Sequence, residues 1–268
     1  MKHFILFFIL GLLFYSCKSD NPASTPENSS TNYNNLFSAE SSNTRFEIWS
    51  ATGSNLVYGY NEIGFKVFVN GTEKTDGFVK YNPVMVHFIG QTGHSSPRSA
   101  QFNYNSTSKM FTGYVCFNMI SDSGSIWLGY YNYNNQNSVD SIPFTVFSST
   151  SQMTGWDDIP GGNTYLLTLL NPKTPKIGSN IFECLLHRDI GNNEYEEVNN
   201  AQMMIKPWMP AHGHGSSGNV NPVSQGNGRY SGKVSFTMLG DWEVYDTIKV
   251  NNILITKVPP PKFYFDVK

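Results

Sequence analysis

Short runs of apolar, aromatic and β-branched residues alternate with polar turns from about residue 44 to residue 256. The run from Gly232 to Leu239 shows the pattern best, because Val234, Phe236 and Met238 fall on one face and polar residues lie between them. A period of two residues indicates a half-buried antiparallel strand. Clusters of Asn, Gly and Pro bound the runs, and no window shows sustained helical periodicity. The pattern therefore predicts an all-β protein built of immunoglobulin-like β-sandwiches.

The two halves of the chain carry the same short pattern. Gly113–Met119 and Gly232–Met238 both read Gly-x-Val-x-Phe-x-Met, and a tryptophan, Trp127 or Trp242, follows each of them. Two further stretches match in the same order, which indicates two tandem copies of one domain. Chance matching of common strand residues is the alternative. We predict a signal peptide at 1–16, a flexible tether at 17–43, a first sandwich at 44–147, a linker at 148–163, a second sandwich at 164–256 and a tail at 257–268.

The amino terminus predicts secretion and lipid attachment. A short positive start precedes the apolar run from Phe4 to Tyr15, which is too short to span a bilayer as a permanent helix. The end of this run, Phe14-Tyr15-Ser16-Cys17, resembles the lipobox of Bacteroidetes-type lipoproteins, which implies cleavage before Cys17 and lipidation of its thiol. An ordinary signal peptide with a chance cysteine is the alternative. Lys18 resembles an outer-membrane sorting residue, so we expect an outer-membrane lipoprotein that faces the periplasm or the cell exterior.

Composition narrows the class of function. The formal net charge is -2 and charged residues make up 14% of the chain, so no basic surface indicates nucleic acid binding. Ser, Asn, Thr and Pro dominate residues 19–43, which have too few apolar side chains to bury a core and are therefore predicted to form the tether. Motifs of serine hydrolases, zinc proteases and nucleotide-binding enzymes are absent, and we expect a protein that is not an enzyme.

Two cysteines remain after Cys17. Cys116 and Cys184 lie in separate apolar runs without the C-x-x-C spacing of zinc ribbons or thioredoxin-like sites. We interpret them as small buried residues. A disulfide between them would have to cross from one predicted sandwich to the other.

Three sequence elements follow one another in the second unit. They are Met209-Pro210-Ala211-His212-Gly213-His214-Gly215, Gly228-Arg229-Tyr230-Ser231-Gly232 and Phe236-Thr237-Met238-Leu239-Gly240-Asp241-Trp242. In combination they resemble the YtkA-like family, which is related to the FixH-like proteins, from roughly Tyr165 to Asn251. The resemblance implies a small extracytoplasmic β-sandwich that is often linked to the handling of copper or another heavy metal. The first unit has His87 and His94 but no His-x-His pair, so a site in that unit is doubtful.

The candidate metal ligands are His212, His214, Met209 and Met238. Zinc sites use Cys, His and carboxylates, but no Cys lies nearby and no Asp or Glu follows the histidines before Asp241. Copper prefers thioether sulfur combined with imidazole nitrogen. Residues two apart in a strand point to the same face, so the two imidazoles would be able to act together.

A purely structural interpretation of these residues stays open. Met238 on an alternating apolar face fits a core role, Met209 fits packing between two bulky neighbours, and the histidines fit a turn. The sequence therefore supports two functions: binding or handling of copper or another heavy metal, and a surface structural or protein-interaction module without metal. The expected partners are the membrane, through the lipid anchor, and a metal ion or a partner protein, with no nucleic acid.

Overall fold

The computed structural model describes residues 32–90, 92–158 and 161–268. These residues form twenty-three β-strands and no α-helix, which confirms the predicted all-β class. Nowhere in the described ranges is there a helix with the length and hydrophobicity that crossing a membrane requires. The predicted signal peptide, the lipidation residue Cys17 and the tether as far as residue 31 lie outside the described residues.

Twelve strands precede residue 150 and eleven follow it. The first twelve are β1 Asn34–Ser41, β2 Thr44–Ser50, β3 Leu56–Val57, β4 Gly59–Val69, β5 Thr72–Lys74, β6 Phe78–His87, β7 Gly93–Ser95, β8 Phe102–Asn105, β9 Met110–Phe117, β10 Ser125–Tyr133, β11 Asn137–Phe144 and β12 Val146–Phe147. The others are β13 Met153–Asp157, β14 Thr164–Asn171, β15 Gly178–Gly191, β16 Glu194–Glu197, β17 Ala201–Met209, β18 His214–Gly215, β19 Val220–Gly226, β20 Arg229–Phe236, β21 Gly240–Val250, β22 Ile253–Leu254 and β23 Lys262–Val267.

The first sandwich has two antiparallel faces. Strands β1, β2, β4 and β9 form one face, β6, β10 and β11 form the other, and β8 pairs with both β9 and β6. Burial alternates along β2 and β10 with a period of two residues, as expected when one side of each strand meets the core. Phe65 of β4 packs against Tyr81 of β6 and Tyr131 of β10, with ring centroids 5.5 Å and 6.0 Å apart. These aromatic contacts join the two faces.

The second sandwich has two separate sheets. One runs β13-β14-β15-β20-β19, with β16 beside β15, and the other runs β18-β17-β21-β22, with β23 beside β21. Phe236 of β20 meets Trp242 of β21 and Phe265 of β23 at centroid distances of 5.5 Å and 5.4 Å. Side chains from both sheets therefore fill one core, which is the arrangement of a β-sandwich.

Both sandwiches repeat one pairing order. Strands β2, β4 and β9 lie side by side in the first, and β14, β15 and β20 do so in the second. Strands β7, β6 and β10 likewise correspond to β18, β17 and β21. Trp127 on β10 and Trp242 on β21 are both buried, so the tryptophans that follow the repeated sequence pattern occupy equivalent strands. This correspondence is what a duplicated domain predicts.

Three strands lie outside the sandwich boundaries that the sequence predicted. Strand β1 occupies part of the predicted tether, β13 part of the predicted linker and β23 part of the predicted tail. Strand β1 has only Ala39 fully in the core, and its main-chain hydrogen bonds to β2 compensate for its polar composition. Strands β13 and β23 bring Trp156 and Phe263 into the second core. Strands β1 and β13 each have one fully buried side chain, and β23 has three, which is a weak sequence signal.

The two sandwiches meet through an apolar contact and an ion pair. Tyr114 and Cys116 of β9 cluster with Leu170 and Leu185 of the second sandwich. Beside this cluster, Arg98 Nη2 donates to both carboxylate oxygens of Glu194, each 2.9 Å away. Hydrogen bonds between charged groups are roughly twice as strong as neutral ones, so this ion pair adds energy to the contact.

The described cysteines do not link the sandwiches covalently. Cys116 and Cys184 are both free thiols and both fully buried. Burial raises the pKa of the Cys116 thiol to about 12, so the thiol stays protonated at neutral pH.

We predict that Phe65→Ala lowers the free energy of unfolding by about 3–5 kcal/mol, because it opens a cavity among rings that are fully buried. Urea unfolding followed by tryptophan fluorescence measures the loss. Phe88→Ala is the matched control, since Phe88 is 57% exposed and its removal leaves no buried cavity. Equal losses in the two variants would contradict the packing described for the first core.

Candidate functional site

A tight turn after β17 brings the two predicted histidines together. The backbone N–H groups of His212 and Gly213 donate to the carbonyl of Met209 at 3.2 Å and 2.9 Å. Gly213 has φ of +65°, a left-handed conformation that favours glycine. The chain then returns as β18, in which His214 lies directly opposite Met209. The imidazole centroids lie 6.0 Å apart. The two rings are therefore close because of the turn, and not because they share one face of a strand as the sequence predicted.

The ring of His214 is oriented by two neighbours. Its Nδ1 lies 2.9 Å from the carbonyl oxygen of Gly215, and since a carbonyl only accepts, Nδ1 is the donor. In the neutral imidazole, Nε2 therefore carries the free lone pair. The ring also meets Trp242 edge-on, with centroids 5.6 Å apart and an interplanar angle of 76°. His214 is thus half-buried with a defined ligand atom, and His212 beside it is exposed.

Met238 lies just beyond the end of β20 rather than inside the core. The indole N–H of Trp242 donates to the carbonyl of Met238 at 3.1 Å, and the Met238 residue is 36% exposed. The alternation of Val234 and Phe236 stops before Met238, because β20 ends at Phe236. The prediction that Met238 shares their inward face is therefore wrong, and its thioether is accessible at the end of the sandwich that carries the histidines.

Met209 occupies a different environment. It is only 3% exposed and belongs to the core of the second sandwich. Gly240, with φ of +113°, approaches it so closely that a Cβ at that position would lie 2.9 Å from the Met209 methyl carbon. The structure therefore places His212, His214 and Met238 at the exposed end and Met209 beneath them, where its sulfur packs.

The donor set excludes some metal chemistries. Across residues 32–90, 92–158 and 161–268, no three His, Cys, Asp or Glu side chains cluster as metal ligands. An ion bound at the end of the second sandwich would therefore depend on the sulfur of Met238 in addition to the two imidazoles. Such a mixed set suits a soft ion such as copper better than zinc or calcium.

The first sandwich also brings two histidines together, which the sequence did not indicate. The centroids of His87 and His94 are 5.6 Å apart, because β6 and β7 pair as a hairpin. Their spacing along the chain hides this proximity, since no His-x-His motif is present. The signal that was available is positional: Met85 and His87 align with Met209 and the histidines of the second unit.

A third histidine environment lies at the contact between the sandwiches, where His187 is fully buried. His187 Nε2 lies 2.9 Å from the hydroxyl of Tyr114, which in turn donates to Glu197 Oε1 at 2.7 Å. The tyrosine has one proton, so Nε2–H donates to it and Nδ1 is left unprotonated. Nδ1 has no partner among the described atoms. Burial lowers the pKa of His187 to about 3, so the ring is neutral at physiological pH.

A family comparison agrees with the sequence resemblance. Residues 161–246 match the family model described as YtkA-like. This range contains His212, His214, Met209 and Met238 and none of the first sandwich. No curated protein matches the chain.

Three solved structures show only distant similarity. The adhesin FdeC of Escherichia coli is 11% identical, with 86% of this chain and 65% of that chain covered and a TM-score of 0.28. A conserved domain protein from Bacillus anthracis is 12% identical, with coverages of 90% and 94% and a TM-score of 0.31. Invasin, a bacterial integrin-binding protein, is 12% identical, with coverages of 84% and 39% and a TM-score of 0.27. The chain thus spans under two thirds of FdeC, and at these scores the similarities carry no functional argument.

We predict that His187 makes the protein less stable in acid. The unfolded chain takes up a proton near the ordinary histidine pKa of 6.5, whereas the folded ring does so only at about 3. Stability is therefore complete above pH 6.5 and falls as the pH drops toward 3, by about 2 kcal/mol at about pH 5. Urea unfolding of the wild type and His187→Gln at about pH 7.5 and about pH 5 should show this difference.

The comparison with His187→Gln is needed because Asp246 titrates in the opposite sense. Asp246 is fully buried, and burial raises the pKa of its carboxyl well above the usual range. The stability that Asp246 contributes is lost as the pH rises. Measurements on the wild type alone would therefore partly mask the effect of His187. An identical pH dependence of the wild type and the variant would contradict the assignment to His187.

Proposed function

We propose that the protein is a non-enzymatic lipoprotein of the bacterial cell envelope that binds Cu(I) at His212, His214 and Met238. The observation that supports this most directly is a pair of imidazoles with centroids 6.0 Å apart, one of which packs against Trp242. The same indole donates to the carbonyl of Met238, a residue that is 36% exposed. Thioether sulfur and neutral imidazole nitrogen form the ligand set that copper prefers. When bound, the ion would be held by these three side chains, with Trp242 packed against one of them.

Local charge favours a monovalent ion. Imidazole and thioether ligands carry no negative charge that would offset the charge of a bound ion. Divalent zinc and calcium sites usually include thiolate or carboxylate ligands that offset the ionic charge. Among the described residues, neither imidazole forms a salt bridge with a carboxylate. A Cu(I) ion needs less compensation, which adds to the argument from ligand softness.

A protein-interaction module without metal is the second candidate. Leu239, directly after Met238, is 57% exposed, and Ile89 near the end of the first sandwich is 91% exposed. Met238 and Leu239 are adjacent exposed apolar residues, and contiguous exposed apolar surface is the feature that marks partner contacts. In that case Met238 and the histidines would contribute surface rather than ligands.

We predict that His212→Ala/His214→Ala binds one Cu(I) fewer than the wild type, because an ion cannot be held by Met238 alone. Anaerobic titration of the full-length protein against a colorimetric Cu(I) chelator gives the stoichiometry. Met238→Leu keeps the volume of the side chain and removes the sulfur, so it should weaken the same site by at least about tenfold.

Met204→Leu is the matched control for the sulfur. Met204 is 44% exposed on β17 and lies away from the histidines, so its replacement should leave the stoichiometry unchanged. Equal Cu(I) binding by the wild type and the double histidine variant would contradict metal binding at this site and favour the interaction module.

The lipid anchor gives a separate prediction. Cys17→Ala removes the only thiol at the end of the apolar run, so the variant should lose incorporated fatty acid and leave the membrane fraction. Metabolic labelling with a tagged fatty acid and fractionation of cells measure both effects. Cys116→Ala serves as the control, and an unlabelled wild type would contradict the proposal of a lipoprotein.

A further inference from the structure

We infer that the first sandwich carries a second soft-metal site, formed by His87, His94 and Met119. This inference rests on the proposed function of the second sandwich and extends it to a part of the chain that the family comparison does not cover. The three residues lie where the first sandwich repeats the strands and turns of the second.

The histidines occupy equivalent positions in the two sandwiches. His94 lies opposite Met85 in the pairing of β7 with β6, as His214 lies opposite Met209 in the pairing of β18 with β17. In each case the methionine across the pair is buried. His94 Nδ1 is 3.0 Å from the carbonyl of Ser95, the next residue, just as His214 Nδ1 is 2.9 Å from the carbonyl of its successor. Nε2 is therefore the free ligand atom in both neutral rings.

Trp127 contacts both His94 and Met119, as Trp242 contacts His214 and Met238 in the second sandwich. Trp127 meets the ring of His94 edge-on, with centroids 5.7 Å apart and an interplanar angle of 86°. Its indole N–H donates to the carbonyl of Met119 at 3.2 Å. Met119 is 37% exposed, against 36% for Met238. Met119 is thus partly exposed, and its sulfur lies next to an oriented imidazole.

The ligand atoms of the first sandwich are already close together. His94 Nε2 lies 3.1 Å from the sulfur of Met119. Because Nδ1 holds the proton of the neutral ring, this contact brings two lone pairs together and is not a hydrogen bond. Bonds of about 2.0 Å to nitrogen and about 2.3 Å to sulfur, as at zinc, place the two donors about 3–4 Å apart on one ion. The contact therefore has the geometry of two ligands of a shared cation.

The third ligand is supplied by the other end of the hairpin. The ring of His87 lies 5.6 Å from that of His94, compared with 6.0 Å for the pair in the second sandwich. Six residues separate the first pair and one residue separates the second pair. The two loops differ, yet the imidazoles meet at similar distances. A common ligand geometry would account for this agreement.

Four variants of the full-length protein test the inference by anaerobic titration with Cu(I) against a colorimetric chelator. They are His87→Ala/His94→Ala, His212→Ala/His214→Ala, the combination of the two, and Met119→Leu. We expect two Cu(I) ions in the wild type, one in each double variant and none in the combination. Met119→Leu, which keeps the side-chain volume, should weaken one of the two sites by at least about tenfold. Circular dichroism and thermal unfolding confirm that each variant folds, and Met204→Leu again controls for the loss of an exposed sulfur.

The outcomes separate this inference from the function that it extends. If the wild type binds one ion and only His212→Ala/His214→Ala loses it, the site proposed in the first sandwich is overturned and the proposed function stands. One ion lost only in His87→Ala/His94→Ala overturns the proposed site of the second sandwich and supports the site of the first. Unchanged binding in the combined variant overturns both.

Discussion

The exposed end of each sandwich depends on the same kind of hydrogen bond, in which a buried indole N–H donates to a methionine carbonyl. An unpaired N–H in an apolar core is costly, so Trp127 and Trp242 both need an acceptor. Each finds it in the turn that follows the preceding strand, at Met119 and Met238 respectively. Bonding at the carbonyl holds the methionine backbone against the core while its side chain stays accessible. The same indole packs against a histidine, so one buried residue positions both the histidine and the methionine.

The contact between the sandwiches depends on a second buried polar arrangement. Neutral His187, Tyr114 and Glu197 form a chain in which every proton has a defined acceptor. The unpartnered Nδ1 of His187 has a cost, but protonation would leave a buried donor and a buried charge without a partner, which costs more. Arg98 and Glu194 add an ion pair nearby, in which one guanidinium nitrogen donates to both carboxylate oxygens. The relative orientation of the sandwiches is thus specified by directional bonds as well as by apolar contact.

Sequence patterns predicted the fold class and the location of the candidate site in the second sandwich, because both follow from local periodicity and a compact motif. The environments of individual residues were harder to predict. Met209 follows Met203, Ile205 and Pro207 on the inward face of β17. The alternation of the sequence could therefore have predicted its burial. Met238 continues the alternation of β20 in sequence, yet the strand ends two residues earlier. Periodicity gives the face of a strand, but it does not give the residue at which the strand stops.

The pair in the first sandwich shows a different limit of sequence reasoning. His87 and His94 meet because β7 folds back on β6, and the intervening loop sets no recognisable spacing. Proximity of this kind depends on register, which is a property of the paired strands rather than of either segment. The repeated pairing order supplies the missing information, since the turn of one sandwich indicates where side chains converge in the other.

The position of these ligands at the ends of complete cores bears on how an ion would be used. Each sandwich is closed by its own aromatic side chains, so neither needs a metal to bury its core. Structural metal sites are typically enclosed and contribute directly to folding. Here the sulfur atoms belong to side chains that are about one third exposed, and His212 is exposed as well. An ion held there would remain open to a partner's ligands. This arrangement suits capture and transfer of a metal rather than permanent retention.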